Sequence, residues 1–335
     1  MTYEVEDFWK NGFAGPFSLD LEAAAIQNAR ATVKEIIDNK IEHPRYGRYA
    51  VRDWHLEKSC LLNLFKDEKL INRLKHILGE DVVLWRSKFF NKPPKSGGID
   101  WHQEWGAFNG EEIGNDIPAL EHKGDGTKLW DVTVWIALED TTMDMSPLRF
   151  AKGTHEKRFP IEMVPLVESG FFVDPFFEIK TKKDLIQRAL SNSLIEDINT
   201  SEAFTEADIE NLDITFDKAK AIAYKHIKNA KGAITRGFYE NEYEIVCQEV
   251  KKGDYWIFSE RTMHGSGPNT SNKTRPALNA RLTNSDTLIY PGRLKGEYID
   301  GSNLDISKHE CVLLSGTNKE SRNVYGTTTL QEMAS

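Results

Sequence analysis

Cysteine is scarce in this sequence. Cys60, Cys247 and Cys311 are the only three in 335 residues. Their odd number and wide spacing exclude a disulfide framework and a CxxC metal clip. They read as buried structural thiols in a reducing compartment, so the expected location is cytoplasmic. No apolar run approaches the roughly 18–20 residues needed to cross a bilayer. The N-terminal MTYEVEDFWKNGF is acidic and aromatic, which is not the composition of a signal or transit peptide. Positive charge is also in short supply. Lys+Arg number 43 against 52 Asp+Glu, a formal net charge of −9, and a general nucleic-acid surface would need the opposite balance. There is no internal repeat, no low-complexity tract and no Gly/Ser-rich linker. The length permits one large β domain or two modest ones.

The hydrophobic pattern changes along the chain. Residues 1–80 read as mostly helical. Residues 19–38 (LDLEAAAIQNARATVKEIID) carry apolar residues at helical spacing, and 67–78 (DEKLINRLKHIL) repeat the pattern and stop at Gly79. From residue 82 the period becomes two. VVLWRSKFF (82–90) alternates, which predicts Arg86, Lys88 and Phe90 on one face and Val83, Trp85 and Ser87 on the other. A turn at 93–98 (PPKSGG) follows, then DWHQEW, then a polar stretch at 111–128 expected as a surface loop. LWDVTVWIALED (129–140) and LRFAKGTHE (148–156) read as strands, as do 243–250, 254–265 and 275–283. Between them, DLIQRAL (184–190) and FDKAKAIAYKHI (216–227) read as helices that interrupt the β pattern. The expected organisation is one domain over 1–335. It has a helical buttress (1–80), a mostly β barrel core (82–155 and 243–290), and an insertion or lid (156–242) that covers a site.

His102 and Glu104 are the first chemical signal. Two residues apart on a strand, they share one face. His264, just after the apolar DYWIFSE, is the candidate third corner. Two histidines and one carboxylate make the facial triad of a non-haem Fe(II) site, with positions left open for a cosubstrate and O2. HGSGPNTSNKTR then places Arg275 eleven residues after His264. Arg275 and Arg281 are six apart, an even spacing that sends both to one strand face, where two buried arginines would call for anions.

WHQE (101–104), NKPP (91–94), VWIALED (134–140), GTH (153–155) and HGSGPNTSNKTR (264–275) together resemble the phytanoyl-CoA dioxygenase superfamily. NGFAGPFSL (11–19), VVLWRSKFF, IDWHQ (99–103), TVWIAL (133–138) and ISKHECVLLSGT…RNVYGTTT (306–328) are similar to its branch of non-haem iron halogenases of carrier-tethered amino acids. The resemblance implies a double-stranded β-helix of jelly-roll or cupin type. It also implies Fe(II), 2-oxoglutarate and O2 as cofactors. His102, Glu104 and His264 would be the iron ligands. Arg275 would clamp the distal carboxylate of 2-oxoglutarate, with Trp135, Ser266 and Thr133 beside it. Arg281 would lie near the open side of the metal. A guanidinium suits that carboxylate because its planar fork matches both oxygens and keeps its charge in a dry site.

Two positions depart from the halogenase branch. There the residue matching Glu104 is small, which leaves room for chloride. A glutamate fills that corner and adds negative charge, so oxygenation of an aliphatic C–H bond is the leading expectation and halogenation the alternative. Lys88, on the face of Arg86, stands where the branch can carry an acidic residue, and a lysine suits a substrate carboxylate. Lys88, Arg86, Asn109 and Arg281 are therefore candidate contacts for a small, acidic molecule such as an amino acid or its derivative. Hydroxylation, desaturation and oxidative cyclisation all remain open. A carrier protein could present the substrate, though an acidic surface meets an acidic carrier poorly. A non-catalytic barrel that binds a small anion through Arg275 and Arg281 is the reading from another class.

Overall fold

A computed structural model describes residues 3–105, 118–123, 131–170, 172–177, 179–195, 198–301 and 303–326. Two antiparallel sheets face each other in a double-stranded β-helix. The larger has six strands in the order Phe13–Ser18, Asp254–Ser259, Asp131–Ala137, Ala277–Asn284, Val82–Phe89 and Val312–Ser315. The smaller has four: Ile245–Cys247, Leu148–Ala151, His264–Ser266 and Ile99–His102.

Alternation along Asp131–Ala137 shows how the layers form. Val132, Val134 and Ile136 pack outward against helices Ala23–Asp38, Ser59–Phe65 and Glu68–Leu78 through Val33, Leu61 and Leu74. Trp135 and Ala137 point inward, against Phe150 of the small sheet and Trp256 and Phe258 of the large one. Every residue of the strand is buried, because one face meets helices and the other lines the barrel. The helix at Glu68–Leu78 starts where the sequence indicates. Asp67 caps it by accepting from Leu70 N–H at 2.8 Å, and Gly79 ends it.

Several expectations are corrected. Phe13–Ser18, within the stretch read as helical, is an edge strand paired with Asp254–Ser259. Val312–Ser315 closes the other edge against Val82–Phe89. Both edges of the large sheet thus come from outside the expected barrel core. Residues 254–265 form two strands, not one, because the chain leaves the large sheet after Ser259 and enters the small one at His264. The strict alternation over 82–90 also fails. Its register against Ala277–Asn284 shifts between Arg281 and Leu282, at a bulge where the pairing passes over Trp85. Trp85 and Arg86 therefore both face inward, the guanidinium 4.8 Å from the indole ring, while Ser87 faces out to meet His55 at 2.7 Å.

Residues 156–242 carry the helices Lys182–Leu190 and Phe216–Lys228 as read, plus an unforeseen ribbon of Ile161–Pro165 with Lys231–Thr235. They gather their own apolar cluster around Leu185, Ile186, Ala189 and Ile227.

Candidate active site

The small sheet brings the two histidines together. His264 and His102 are register partners on antiparallel strands. The strand ends at His102, so Glu104 is held by another device: its N–H donates to the Glu260 carbonyl at 2.8 Å, in the corner that links the two sheets. Gln103, between them, points the other way. Its amide donates to the carbonyls of Lys157 at 2.8 Å and Arg261 at 2.5 Å and accepts from Phe159 N–H at 3.0 Å. The middle residue of HQE thus pins the ligand segment to the corner.

The donor atoms of His102, Glu104 and His264 all lie within 4.8 Å of one another. Each imidazole is oriented by a backbone carbonyl. Nδ1 of His102 meets Asp100 O at 2.7 Å and Nδ1 of His264 meets Thr262 O at 2.9 Å. A carbonyl only accepts, so Nδ1 carries the proton in both rings and Nε2 keeps its lone pair for a metal. Burial pushes the His102 pKa down to about 4 and holds that of His264 well below its usual range, so both rings are neutral at neutral pH. The donor set fits a ferrous ion. Glu104 is engaged by Arg281, whose Nη1 and Nη2 each donate to one of its oxygens.

Beside this centre is a cationic pocket. Arg275 is buried, 5.4 Å from the Trp135 ring, and its Nη1 donates to Ser146 O. Among the described residues no carboxylate pairs with it. Arg275 Nε, Trp135 Nε1 and Thr133 Oγ1 are buried without hydrogen-bond partners. A charge and two donors left unsatisfied in a dry pocket are costly unless an anion completes them, and the distal carboxylate of 2-oxoglutarate has that chemistry.

Sequence reasoning missed Lys92. Its backbone bridges to Arg275, and its Nζ donates to Ser266 Oγ at 2.8 Å and to Gly267 O. Burial first, then the charges of Arg275 and Arg149, lower its pKa to about 7. NKPP was visible in the sequence, but only the pairing of Lys92 with Arg275 shows where this lysine goes. Asn279 was missed too. It is buried, with no side-chain hydrogen bond among the described residues, and it pairs in register with Trp135 on one side and Lys88 on the other. The even spacing that linked Arg275 to Arg281 already contained it.

The remaining candidates fall as follows. Arg281 pairs in register with Thr133 and Arg86. Arg86 Nη2 is held by Tyr290 Oη at 2.5 Å and Asp300 Oδ2 at 2.9 Å. Lys88 Nζ lies 5.6 Å from the Phe90 ring. Asn109 lies outside the described residues. His55 is a buried structural residue, and His155 sits in the turn after Leu148–Ala151, with Nε2 on Trp9 O at 3.0 Å.

The phytanoyl-CoA dioxygenase family matches residues 8–183 and 215–277 of the sequence. The chain belongs to that family. This member is therefore placed among dioxygenases, a class of oxidoreductase that works with Fe(II), 2-oxoglutarate and O2. A 58-residue stretch is 36% identical to a probable alpha-ketoglutarate-dependent hypophosphite dioxygenase of Stutzerimonas stutzeri, spanning 17% of this chain and 20% of that protein. In fold, this member is similar to CytC3 with Fe(II) and alpha-ketoglutarate, with TM-score 0.62 and 18% identity over 97% of this chain and 92% of that one. It is also similar to the non-heme monooxygenase ThoJ as its Ni complex, with TM-score 0.54 and 15% identity over 98% and 91%. The family match omits residues 184–214, inside the insertion. Among the described residues no helix is long and apolar enough to cross a membrane.

Proposed function

We propose that this family member is an Fe(II)- and 2-oxoglutarate-dependent oxygenase. Its target is an aliphatic C–H bond of a small, carboxylate-bearing biosynthetic molecule, an amino acid or its derivative, and the coproducts are succinate and CO2. The observation that carries the reading is the convergence of His102, Glu104 and His264 within 4.8 Å beside the buried Arg275. When bound, iron and 2-oxoglutarate supply with O2 the oxidant that removes the hydrogen atom. The residues of the chain do the rest. His102, Glu104 and His264 would hold the metal. Arg275, Lys92, Trp135 and Ser266 take the far carboxylate of 2-oxoglutarate, with Thr133 next to it. Lys88, Asn279 and Arg281 line the same sheet face beside Trp135 and position the acidic substrate, with Arg86 behind Arg281. Hydroxylation, desaturation and ring closure share the first step, and the placement of the target carbon selects among them.

Residues 156–242 serve as the cover of the site within a single domain. Gly170 N–H donates to Asp100 Oδ2 at 3.0 Å, and the Asp100 carbonyl orients His102, so cover and metal centre share one residue.

The test has two stages. Anaerobic protein with Fe(II) and 2-oxoglutarate is expected to develop the weak visible band of a chelated ferrous complex. Acidic amino acids and their derivatives are then screened for succinate release in air, and products are weighed by mass spectrometry. No band would overturn the cosubstrate assignment. A chlorinated product in chloride buffer would replace oxygenation by halogenation.

A further inference from the structure

Lys92 is a buried amine whose contacts are all neutral: Ser266 Oγ at 2.8 Å, Ser146 Oγ at 3.5 Å and Gly267 O. It forms a hydrogen-bonded backbone pair with Arg275. Lys92 N–H donates to Arg275 O and Arg275 N–H to Lys92 O, each at 2.9 Å. Residues opposite each other in antiparallel backbone send their side chains to one face. Both tips reach Ser146. Arg275 Nη1 donates to its carbonyl, and Lys92 Nζ stands by its hydroxyl. That hydroxyl is itself fixed, donating to Gly267 O at 2.5 Å.

Two positive heads side by side in a dry pocket repel each other, and the one that can shed its proton does so. Burial lowers Arg275 to about 10, which leaves the guanidinium charged at neutral pH. Burial first, then Arg275 and Arg149, bring Lys92 to about 7, so much of the amine is free base. A neutral amine is a nucleophile, and this one sits beside a guanidinium that pairs with no carboxylate among the described residues. Carbon dioxide suits both groups. The Nζ lone pair attacks its carbon, an N–C bond forms as one C=O π bond opens onto oxygen, and an N–H proton leaves to the buffer. Nothing is oxidised or reduced. The product is an anion next to Arg275, where a charge-assisted pair is strongest.

We propose that Lys92 is a carbamylation site: in the protein without 2-oxoglutarate it takes up CO2 as an Nζ-carbamate that pairs with Arg275. The carbamate and the far carboxylate of 2-oxoglutarate then compete for one guanidinium, so CO2, a coproduct of the proposed reaction, restrains return of the cosubstrate. That consequence rests on the cosubstrate pocket of the proposed function. The carbamate itself does not.

The experiment equilibrates the full metal-free chain with isotopically labelled bicarbonate at slightly alkaline pH. Carbamates are trapped as esters with a trialkyloxonium salt and located by mass spectrometry of the digest. A short peptide with a free α-amino group, mixed in, proves that trapping works. Label is expected on Lys92 in preference to the other lysines. Arg275→Gln, with folding checked by thermal melts, is expected to lower that label about tenfold, because both the partner of the carbamate and the repulsion that keeps the amine neutral are gone. No label on Lys92 while the control peptide is labelled would overturn the proposal, and equal label in Arg275→Gln would overturn the pairing. A last arm adds Co(II), a stand-in for Fe(II) titrated anaerobically by its visible absorption, and then 2-oxoglutarate. Loss of the Lys92 label is expected. Label that persists at saturating 2-oxoglutarate would support the carbamate and overturn the cosubstrate pocket instead.

Discussion

His102 and His264 face each other across two antiparallel strands, with ring centroids 4.2 Å apart and both Nδ1 protons held by main-chain carbonyls. The main chain of the small sheet therefore aims both Nε2 atoms. Gln103 anchors the same segment through Lys157, Arg261 and Phe159. Gln103→Leu strands those buried main-chain groups at about 1–3 kcal/mol. It is expected to lower the melting temperature and weaken Co(II) by roughly 10–100-fold, as for loss of an outer-shell partner. His264→Ala, which removes one of the three proposed ligands, is expected to abolish Co(II) binding in the same titration. A Gln103→Leu protein that melts and binds like the wild type would show that the corner holds without it.

With Lys92 in the proposed cosubstrate pocket, 2-oxoglutarate binding is expected to depend on pH. Burial, Arg275 and Arg149 leave its pKa at about 7 in the free protein. A bound dianion favours the charged amine, so the pKa rises on binding and a proton is taken up. The sign follows. Below pH 7 the lysine is already charged and affinity is full. Above pH 7 each bound molecule must recruit a proton, and affinity falls by up to about tenfold per pH unit. Isothermal titration at pH 6.5, 7.5 and 8.5 checks this. Lys92→Met is expected to bind more weakly with a flat profile. A flat profile in the wild type would remove Lys92 from the pocket.

What the sequence made legible was whatever lies in one local pattern. The strand holding Trp135 is a continuous run whose period states the face, and the even spacings of HQE and of Arg275–Arg281 each point to one face. What it hid depended on partners far away. Phe13–Ser18 and Val312–Ser315 are short edge strands that exist only because Asp254–Ser259 and Val82–Phe89 offer them free edges. Trp85 turns inward because of a bulge set by Arg281 and Leu282 on the neighbouring strand. Lys92 enters the cationic pocket through its bridge to Arg275, across more than half the chain. Glu104 stands on the expected side of the site, but a bond to Glu260 holds it there rather than strand geometry.

Acid should unfold this protein early. Burial brings His55, His102 and His309 each down to about 4. The unfolded chain protonates them near 6.5, so between about pH 6.5 and 4 it binds more protons than the folded one. The stability they contribute is complete above pH 6.5 and is lost as pH falls toward 4, on the order of 3 kcal/mol per histidine at most. Urea midpoints measured from pH 7.5 to 4.5 are expected to fall across that window. His309→Gln, which can still donate to the Trp85 carbonyl now 2.7 Å from Nε2, should flatten the fall. An unchanged slope would mean that His309 is accommodated in its charged form.

Variants of Lys88 and Asn279 are expected to separate the proposed substrate binding from cosubstrate binding. They are register neighbours, and Asn279 also neighbours Trp135, so a path across the sheet face from Trp135 meets Asn279 before Lys88. Lys88→Met removes a charge from that path without touching Arg275. It is expected to raise KM for the acidic substrate by about tenfold or more, the worth of one charge-assisted contact, and to leave KM for 2-oxoglutarate unchanged. Asn279→Ala is expected to act on kcat as well, because an amide between the two binding regions fixes where the target carbon sits, and small misplacements there cost rate. Succinate release measured with each ligand varied in turn gives both KM values and kcat. If Lys88→Met raises KM for 2-oxoglutarate instead, the lysine belongs to the cosubstrate side. The acidic-substrate reading would then rest on Arg281 alone.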